Sequence, residues 1–218
     1  MLKMQGIRNV FIHKLCRNEI EEDKLGGQVL EIVGASFLAN EDTLFGKANP
    51  EYIKAEIEWY ESLSLNVNDL FEIYGKEVAI WKSVADRDGF INSNYGWCIY
   101  DRANGFQYQM CMNELRNNPN SRRAIMLYTR PTMQLEYNTN GRSDFMCTNA
   151  VQYMIRDGHL DAIVQMRSND AVYGFNNDVA WQRHVMNNLA SDLSVPVGDL
   201  HWQVGSLHVY DRHFHLVK

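Results

Sequence analysis

The feature that most constrains the fold is a two-residue turn, Asp157-Gly158, between two runs of alternating apolar and polar residues. These runs are Thr148–Arg156 and His159–Arg167. Asp-Gly readily adopts the positive φ angles of a tight hairpin turn, so the two runs are predicted to pair as antiparallel strands. Counting outward from the turn places Cys147 opposite the segment Arg167–Asp170. The hairpin is therefore expected to bring this thiol close to an arginine.

The rest of the chain alternates helical and strand patterns, which predicts an α+β fold with flanking helices and a mixed sheet. Asn49-Pro50-Glu51 is a strong helix start, with Asn as N-cap and Pro in the first turn. Further strands are predicted over Val29–Phe37, Arg123–Arg130, Leu160–Arg167 and His201–Tyr210, and helices over Arg8–Glu22, Asn49–Ser62 and Val179–Leu193.

Composition narrows the class of protein. The 218 residues contain 45% hydrophobic and 22% charged residues, which is typical of a globular chain, and we expect one domain over 1–218. A net charge of −6 disfavours bulk nucleic-acid binding and favours a small anionic ligand. The longest stretch without Asp, Glu, Lys or Arg, Gly89–Tyr100, is too short to span a bilayer, and the N-terminus lacks a signal-peptide pattern. We therefore expect a cytoplasmic protein.

Cysteine and arginine residues are the first candidates for chemistry. The four cysteines lack CxxC spacing, so neither a disulfide framework nor a zinc knuckle is predicted. A thiolate beside Arg167 would be a good nucleophile, although a cysteine in a strand is more often a small buried apolar residue, and Cys147 could be one. Arg122-Arg123 and Arg167-Ser168 could bind a monophosphate, or they could be solvated surface residues.

Polar residues on otherwise apolar faces are the second group of candidates. Glu56 shares a helix face with Trp59 and Tyr60, where burial would raise its pKa toward neutral and suit it to proton transfer. The alternative is a boundary carboxylate that reaches water. Asp178 stands just before a predicted helix, which favours an N-cap. On one face of the last strand, Ser206, His208 and Tyr210 could bind a sugar hydroxyl. The histidines lack a carboxylate or cysteine at ligand spacing, so no metal is expected.

A Cys, an Arg-Ser-x-Asp, a double Arg and a His-x-Tyr occur along the chain, at 147, 167–170, 122–123 and 208–210. In this arrangement they resemble the thymidylate synthase family and, within it, the phage branch of deoxycytidylate (dCMP) hydroxymethylases. The resemblance covers nearly the whole chain and is carried by Asp23-Lys24, Glu31-Ile-Val-Gly-Ala-Ser-Phe37, Glu56-Ile-Glu-Trp59, Ile91-Asn-Ser-Asn-Tyr-Gly-Trp97, Ser121-Arg-Arg123, Ser143-Asp-Phe-Met-Cys-Thr-Asn149, Arg167-Ser-Asn-Asp170, Gly174-Phe-Asn-Asn-Asp178 and Gly205-Ser-Leu-His-Val-Tyr210.

The resemblance implies an enzyme and a mechanism. Cys147 would add to C6 of dCMP, C5 would take a one-carbon unit from 5,10-methylenetetrahydrofolate, and water would complete 5-hydroxymethyl-dCMP. Glu56 would relay protons. Asp178, where synthases acting on dUMP have Asn, would select cytosine and take part in catalysis. Two other readings stay open, a thymidylate synthase acting on dUMP and a noncatalytic nucleotide-binding or RNA-binding relative.

The resemblance also implies the binding residues and a partner. His208 and Tyr210 would bind the sugar, and Asp170 and Trp81 the folate. A second copy would donate its arginine pair across a sheet-mediated homodimer, in the setting of phage DNA modification. The phosphate would be bound by Lys24, Arg122, Arg123, Arg167 and Ser168.

Three departures from the synthase pattern accompany this resemblance. Thr148 stands where synthases commonly have His, and Met166 stands where they have Gln, which disfavours ordinary thymidylate synthesis. The sequence stops at Lys218, whereas family members continue, so we expect the segment that closes the active site to be short or absent.

Overall fold

The structure is a computed structural model that describes residues 2–23 and 26–218. Its Cα trace divides into two compact units, residues 1–48 with 153–218 and residues 49–152, and each is described by itself. That 1–218 form one domain stays a prediction.

The helices are α1 (Met4–Cys16), α2 (Pro50–Glu61), α3 (Val67–Tyr74), α4 (Ala79–Val84), α5 (Tyr95–Tyr100), α6 (Gln107–Asn117), α7 (Met133–Glu136) and α8 (Gly174–Leu193). The strands are β1 (Leu2–Lys3), β2 (Glu21–Glu22), β3 (Gln28–Leu38), β4 (Ile125–Leu127), β5 (Thr148–Arg156), β6 (His159–Asp170) and β7 (Val197–Tyr210). Short 3-10 helices cover Arg102–Asn104, Thr139–Gly141 and Asp211–Leu216.

The first unit is built on a mixed sheet whose strand order is β1-β3-β7-β6, followed by β5, with β2 paired to β3. β3 runs antiparallel to β7 and pairs Glu31 with His208. β6 runs parallel to β7 and pairs Asp170 with His208 and Ser168 with Ser206. The register therefore aligns polar residues of three neighbouring strands at one end of the sheet.

Helix α8 packs on this sheet through an apolar face. Val179, Met186 and Leu189 are buried at spacings of seven and three residues, so they lie on one side of the helix. The ring of Phe175 meets the ring of Trp202 of β7 edge to face at 5.3 Å. This contact packs the first turn of α8 against the middle of β7.

The second unit is mainly helical, with β4 paired antiparallel to the first residues of β5. A run of aromatic rings forms its core: Tyr60 stacks on Trp59 at 5.3 Å and on Tyr95 at 5.2 Å, and Tyr95 meets Tyr128 edge to face at 5.2 Å. Asn49 caps α2 by accepting the Tyr52 N–H at 3.1 Å, as predicted from the sequence. Both units combine helices with paired strands, which confirms the α+β class.

Several predicted boundaries are confirmed and others are wrong. The turn has φ angles of 49° at Asp157 and 78° at Gly158, and β5 has the predicted bounds. The first helix starts at Met4, not Arg8, because Met4 and Ile7 continue its buried face. It ends at Cys16, not Glu22. The predicted strand over 123–130 shortens to β4, because the N–H groups of residues 128 and 129 both turn onto one carbonyl, that of Asn149.

Among residues 2–23 and 26–218, no helix combines the length and apolar character needed to cross a membrane.

Candidate active site

Glu56 lies on the buried face of α2 with only 5% of its surface exposed. The Tyr52 hydroxyl, one turn earlier, donates a hydrogen bond to Glu56 Oε1. The Trp81 indole N–H donates to the same oxygen at 3.1 Å. Burial raises the Glu56 pKa to about 7 because the loss of hydration outweighs these two neutral hydrogen bonds. The alternative of a carboxylate that reaches water is therefore wrong, and a pKa near neutral suits this group to proton transfer.

Tyr52 is a residue of this cluster that sequence reasoning missed. Its hydroxyl also accepts the Trp81 N–H at 2.9 Å, so Tyr52, Glu56 and Trp81 form one connected polar group. The signal was present in the sequence, because residues four apart share a helix face. Trp81, which the resemblance implied as a folate-side residue, thus contacts the proton-carrying group directly.

Cys147 directly precedes β5 and is half-buried. Its Sγ lies 3.9 Å from the Phe145 carbonyl oxygen. The other cysteines are poorer nucleophile candidates: burial raises the pKa of both Cys98 and Cys111 to about 12, and Cys16 is exposed on α1. A thiol held that far from ionisation is a poor nucleophile at neutral pH.

Buried hydrogen bonds hold the backbone on both sides of Cys147. On one side, the Asp144 carboxylate accepts from the N–H groups of Asn92 at 2.6 Å and Ser93 at 2.9 Å. On the other, the Thr148 hydroxyl donates to the Tyr95 hydroxyl at 3.0 Å. Thr148, which stands where synthases commonly have His, therefore anchors the segment around Cys147 to the aromatic core.

The arginine pair lies on the surface of the second unit. Arg122 and Arg123 are both exposed, and Arg123 forms an ion pair with Glu114 at 3.0 Å. A cavity of about 350 Å³ lies against Arg123 and Glu114, but neither Cys147 nor Glu56 lines it. The exposure of these arginines matches the solvated-surface reading, and their phosphate-binding role stays a prediction.

In the first unit, the predicted phosphate and folate residues end strand β6. Arg167 is exposed, and Ser168 is half-buried beside Ser206 of β7. The Asp170 carboxylate accepts the N–H groups of Val172 at 3.0 Å and Tyr173 at 3.2 Å, which closes the turn into α8. Lys24, the remaining predicted phosphate residue, lies outside the described residues.

The predicted sugar-binding residues share one strand face, as expected. The rings of His208 and Tyr210 meet edge to face at 4.9 Å, and Ser206 Oγ lies 3.4 Å from His208 Nδ1. The Ser206 hydroxyl also donates to the carboxylate of Glu31. The sequence did not single out Glu31, because its proximity arises from the pairing of β3 with β7.

Asp178 lies in the second turn of α8, so the N-cap interpretation is wrong. The helix begins at Gly174, not at residue 179, and residue 173 occupies the cap position without a side-chain capping bond. Asp178 Oδ2 instead accepts a hydrogen bond from Asn169 Nδ2 at 2.8 Å. The Asn169 oxygen accepts the indole N–H of Trp202 at 3.2 Å. Asn169 was missed because nothing in the sequence links the end of a strand to the second turn of the next helix.

Comparison with known proteins decides the family. A family model described as thymidylate synthase matches residues 45–218, most of the chain. The chain belongs to the thymidylate synthase family. A solved structure, thermostable thymidylate synthase A from Bacillus subtilis, superposes with a TM-score of 0.72 at 23% identity, covering 99% of this chain and 82% of the other. At this identity the likeness confirms the fold alone.

Curated relatives within the family include members of both branches. The deoxycytidylate 5-hydroxymethyltransferases of Enterobacteria phages T4, T2 and T6 are each 55% identical over 202 residues, covering 89% of this chain and 81% of theirs. A thymidylate synthase from Corynebacterium aurimucosum is 27% identical over 219 residues, covering 94% and 79%. The resemblance to the hydroxymethylase branch is thus confirmed.

Proposed function

We propose that this protein is a deoxycytidylate 5-hydroxymethyltransferase, which converts dCMP and 5,10-methylenetetrahydrofolate to 5-hydroxymethyl-dCMP and tetrahydrofolate. The observation that carries this proposal is the 55% identity, over 89% of the chain, to enzymes that bear this name. The acidic side chain at residue 178 supports the same substrate. Because the similar enzymes come from phages, the reaction would take place in the cytoplasm of an infected bacterium.

Cys147 would begin the reaction as a thiolate. Its sulfur forms a bond to C6 of the pyrimidine while the electron pair of the C5–C6 double bond moves to C5. C5 thereby becomes a carbon nucleophile that would take up the one-carbon unit. The C5 proton and tetrahydrofolate would then leave, which gives an exocyclic methylene group on C5. After water has added to that group, the Cys147 sulfur would leave C6 and restore the C5–C6 double bond. The half-buried position of Cys147 and the anchored backbone on either side support this role, because both limit the positions from which the sulfur can attack.

Glu56 would manage the protons of the later steps. A carboxyl group with a pKa of about 7 is present in both protonation states at neutral pH, so it can give and take a proton without a large free-energy cost. Tyr52 and Trp81 hold it in one orientation. We assign to Glu56 the activation of the water that adds to the exocyclic methylene carbon on C5, which forms the hydroxymethyl group.

Asp178 would select the base. Cytosine presents N4–H as donor and N3 as acceptor, so one carboxylate oxygen can accept from N4 while a proton is shared between the other and N3. Uracil presents an acceptor, O4, in place of N4, and a carboxylate would oppose it. A buried mismatch of this kind costs about 1–3 kcal/mol.

The remaining residues would bind the nucleotide ends. Arg167, Ser168 and Lys24 would bind the phosphate, and His208 and Tyr210 the sugar hydroxyl. The exposure of Arg167 and the shared face of His208 and Tyr210 fit these roles. We further propose a homodimer through the sheet, in which Arg122 and Arg123 of one copy complete the phosphate site of the other.

The folate co-substrate would be bound by Asp170 and Trp81. The Asp170 carboxylate is half-buried and can accept N–H groups of a pterin ring, and the half-buried Trp81 ring can contact an aromatic surface. When bound, the folate supplies a one-carbon unit at the oxidation level of formaldehyde. Because Trp81 also contacts Glu56, folate binding and proton transfer would be linked through one side chain.

The direct test is to incubate the purified protein with the folate and dCMP, dUMP or CMP, and to identify products by mass spectrometry. The proposal predicts a hydroxymethylated product from dCMP without the absorbance rise that accompanies dihydrofolate. Conversion of dUMP to its methylated product, with dihydrofolate formed, would instead identify a thymidylate synthase. Binding of a nucleotide with no turnover of any substrate would identify a noncatalytic relative.

A further inference from the structure

Half-buried Asp178 ends a chain of three hydrogen-bonded side chains, and the two buried members, Asn169 and Trp202, fix the orientation of that chain. The Trp202 indole N–H can only donate a hydrogen bond. It points at the oxygen of the Asn169 amide at 3.2 Å. The Asn169 nitrogen must therefore point the other way, toward Asp178, to which it donates at 2.8 Å.

A reversed Asn169 amide would lose both bonds. It would set its N–H group against the Trp202 N–H and its oxygen against a carboxylate oxygen. Asn169 is 3% exposed and Trp202 is fully buried, so water could not replace the bond between these two side chains. The Asn169 amide therefore has one orientation, in which its nitrogen donates a hydrogen bond to Asp178.

Gly174 leaves the space in which this bond forms. A Cβ at this position would lie 3.3 Å from Asn169 Nδ2 and 3.8 Å from Asp178 Oδ2. The first distance is tighter than ordinary van der Waals contact, so any larger residue would press on the Asn169 amide. The glycine here is required by space, because its φ lies outside the left-handed region.

We infer that Asn169, oriented by Trp202, is a positioning residue for base selection. This inference rests on the proposed role of Asp178. The donor from Asn169 makes Oδ2 an acceptor, so a proton shared with cytosine N3 must reside on the other oxygen. In an Asp178→Asn variant, the same donor would bind the amide oxygen and turn the amide N–H₂ the other way. Asn169 thereby sets which polar atom residue 178 presents, whether that residue is Asp or Asn.

The test is a double-mutant cycle read as the ratio of kcat/KM for dCMP to kcat/KM for dUMP, because this ratio cancels any loss of active protein. Asp178→Asn should shift the ratio toward dUMP. Asn169→Ala alone should lower the ratio about ten-fold. In the Asn169→Ala background, Asp178→Asn should shift the ratio much less than it does alone, because the amide at 178 is no longer held in one orientation.

Trp202→Phe keeps an aromatic ring but removes the donor, and it should lower the ratio in the same direction. Should Asn169→Ala fail to fold, Trp202→Phe carries the same cycle with Asp178→Asn. Trp181→Phe is the matched control: Trp181 is also fully buried in the first unit, and its substitution should reduce stability and leave the ratio unchanged.

Three outcomes separate the two proposals. If Asp178→Asn leaves base preference unchanged, the proposed role of Asp178 is wrong. Suppose instead that Asp178→Asn shifts the preference, while Asn169→Ala and Trp202→Phe leave the ratio at its wild-type value. If the effects of the substitutions then multiply independently, the inference about Asn169 is overturned. Coupled effects together with an inert Trp181→Phe control support it.

Discussion

The proton chemistry of Glu56 follows from the type of its hydrogen-bond donors. Tyr52 and Trp81 are neutral donors, so they stabilise the ionised carboxylate less than a cation would, and they do not offset its loss of hydration. Burial therefore dominates, and the pKa rises to about 7. The same feature that suits Glu56 to catalysis makes it a cost to stability whenever it is ionised.

This cost predicts a pH-dependent stability that Glu56→Gln removes. The folded protein binds one more proton than the unfolded chain between the ordinary pKa of 4.5 and about 7, so stability falls as pH rises through this interval. The loss amounts to about 3 kcal/mol above neutral pH. Denaturant unfolding at several pH values should show wild type losing stability relative to Glu56→Gln. Parallel curves for the two proteins would contradict the account.

At the residue scale, sequence reasoning succeeded where a residue and its surroundings lie within one element. The spacing of Glu56 from Trp59 and Tyr60 placed it on an apolar helix face, so its burial was one of the two interpretations that the sequence left open. It failed for Asn169 and Glu31, whose partners come from other elements that pack beside them only in the folded chain. Asp178 was interpreted as an N-cap for the same reason, because the start of α8 depends on packing over the sheet.

At the element scale, the turn between β5 and β6 sets the register of the hairpin that follows Cys147. Asp157 and Gly158 both have positive φ, as a turn of this kind requires. The opposition of Cys147 to Arg167–Asp170 stays a prediction. The turn itself was predictable because its chemistry is local, whereas the length of β4 depends on long-range pairing.

Gly158→Ala tests the contribution of this turn. The position has open space for a Cβ, so the expected cost comes only from a φ of 78° that alanine disfavours, about 1 kcal/mol. Asp157→Gly is the matched control: the neighbouring residue has a φ of 49°, and its replacement should change stability by less than about 0.5 kcal/mol. Equal effects of the two substitutions in denaturant unfolding would mean that the turn does not require glycine.

At the scale of the whole molecule, the proposed dimer gives a role to two arginines on the surface, because they would bind the phosphate in the site of the other copy. Arg122 is exposed, and Arg123 bonds within its own unit, through its side chain to half-buried Glu114 and through its backbone N–H to buried Ser121. Exposed ion pairs contribute little to stability, so Arg123 can exchange Glu114 for a phosphate without a large cost. The paired arginines themselves indicated a possible phosphate site in the sequence, and the family resemblance added their donation across a dimer.

Mixing two inactive variants tests this arrangement. Cys147→Ser lacks the nucleophile, and the double variant Arg122→Ala with Arg123→Ala lacks the donated arginines. Each alone should be nearly inactive. After subunit exchange at equal concentrations, half of the dimers are mixed and each holds one intact site, so activity should return to about a quarter of wild type. Cys16→Ser, at an exposed cysteine, is the control that should remain active. Absence of recovery in dimers shown to be mixed would place all groups of a site in one chain.

The origin of the new oxygen atom tests the central claim most directly. We propose that water adds to the one-carbon unit on C5, so a reaction of dCMP with the folate in heavy-oxygen water should give 5-hydroxymethyl-dCMP that carries one heavy oxygen atom in the hydroxymethyl group. Tetrahydrofolate should be the folate product. A methylated nucleotide without the label, formed together with dihydrofolate, would contradict the account.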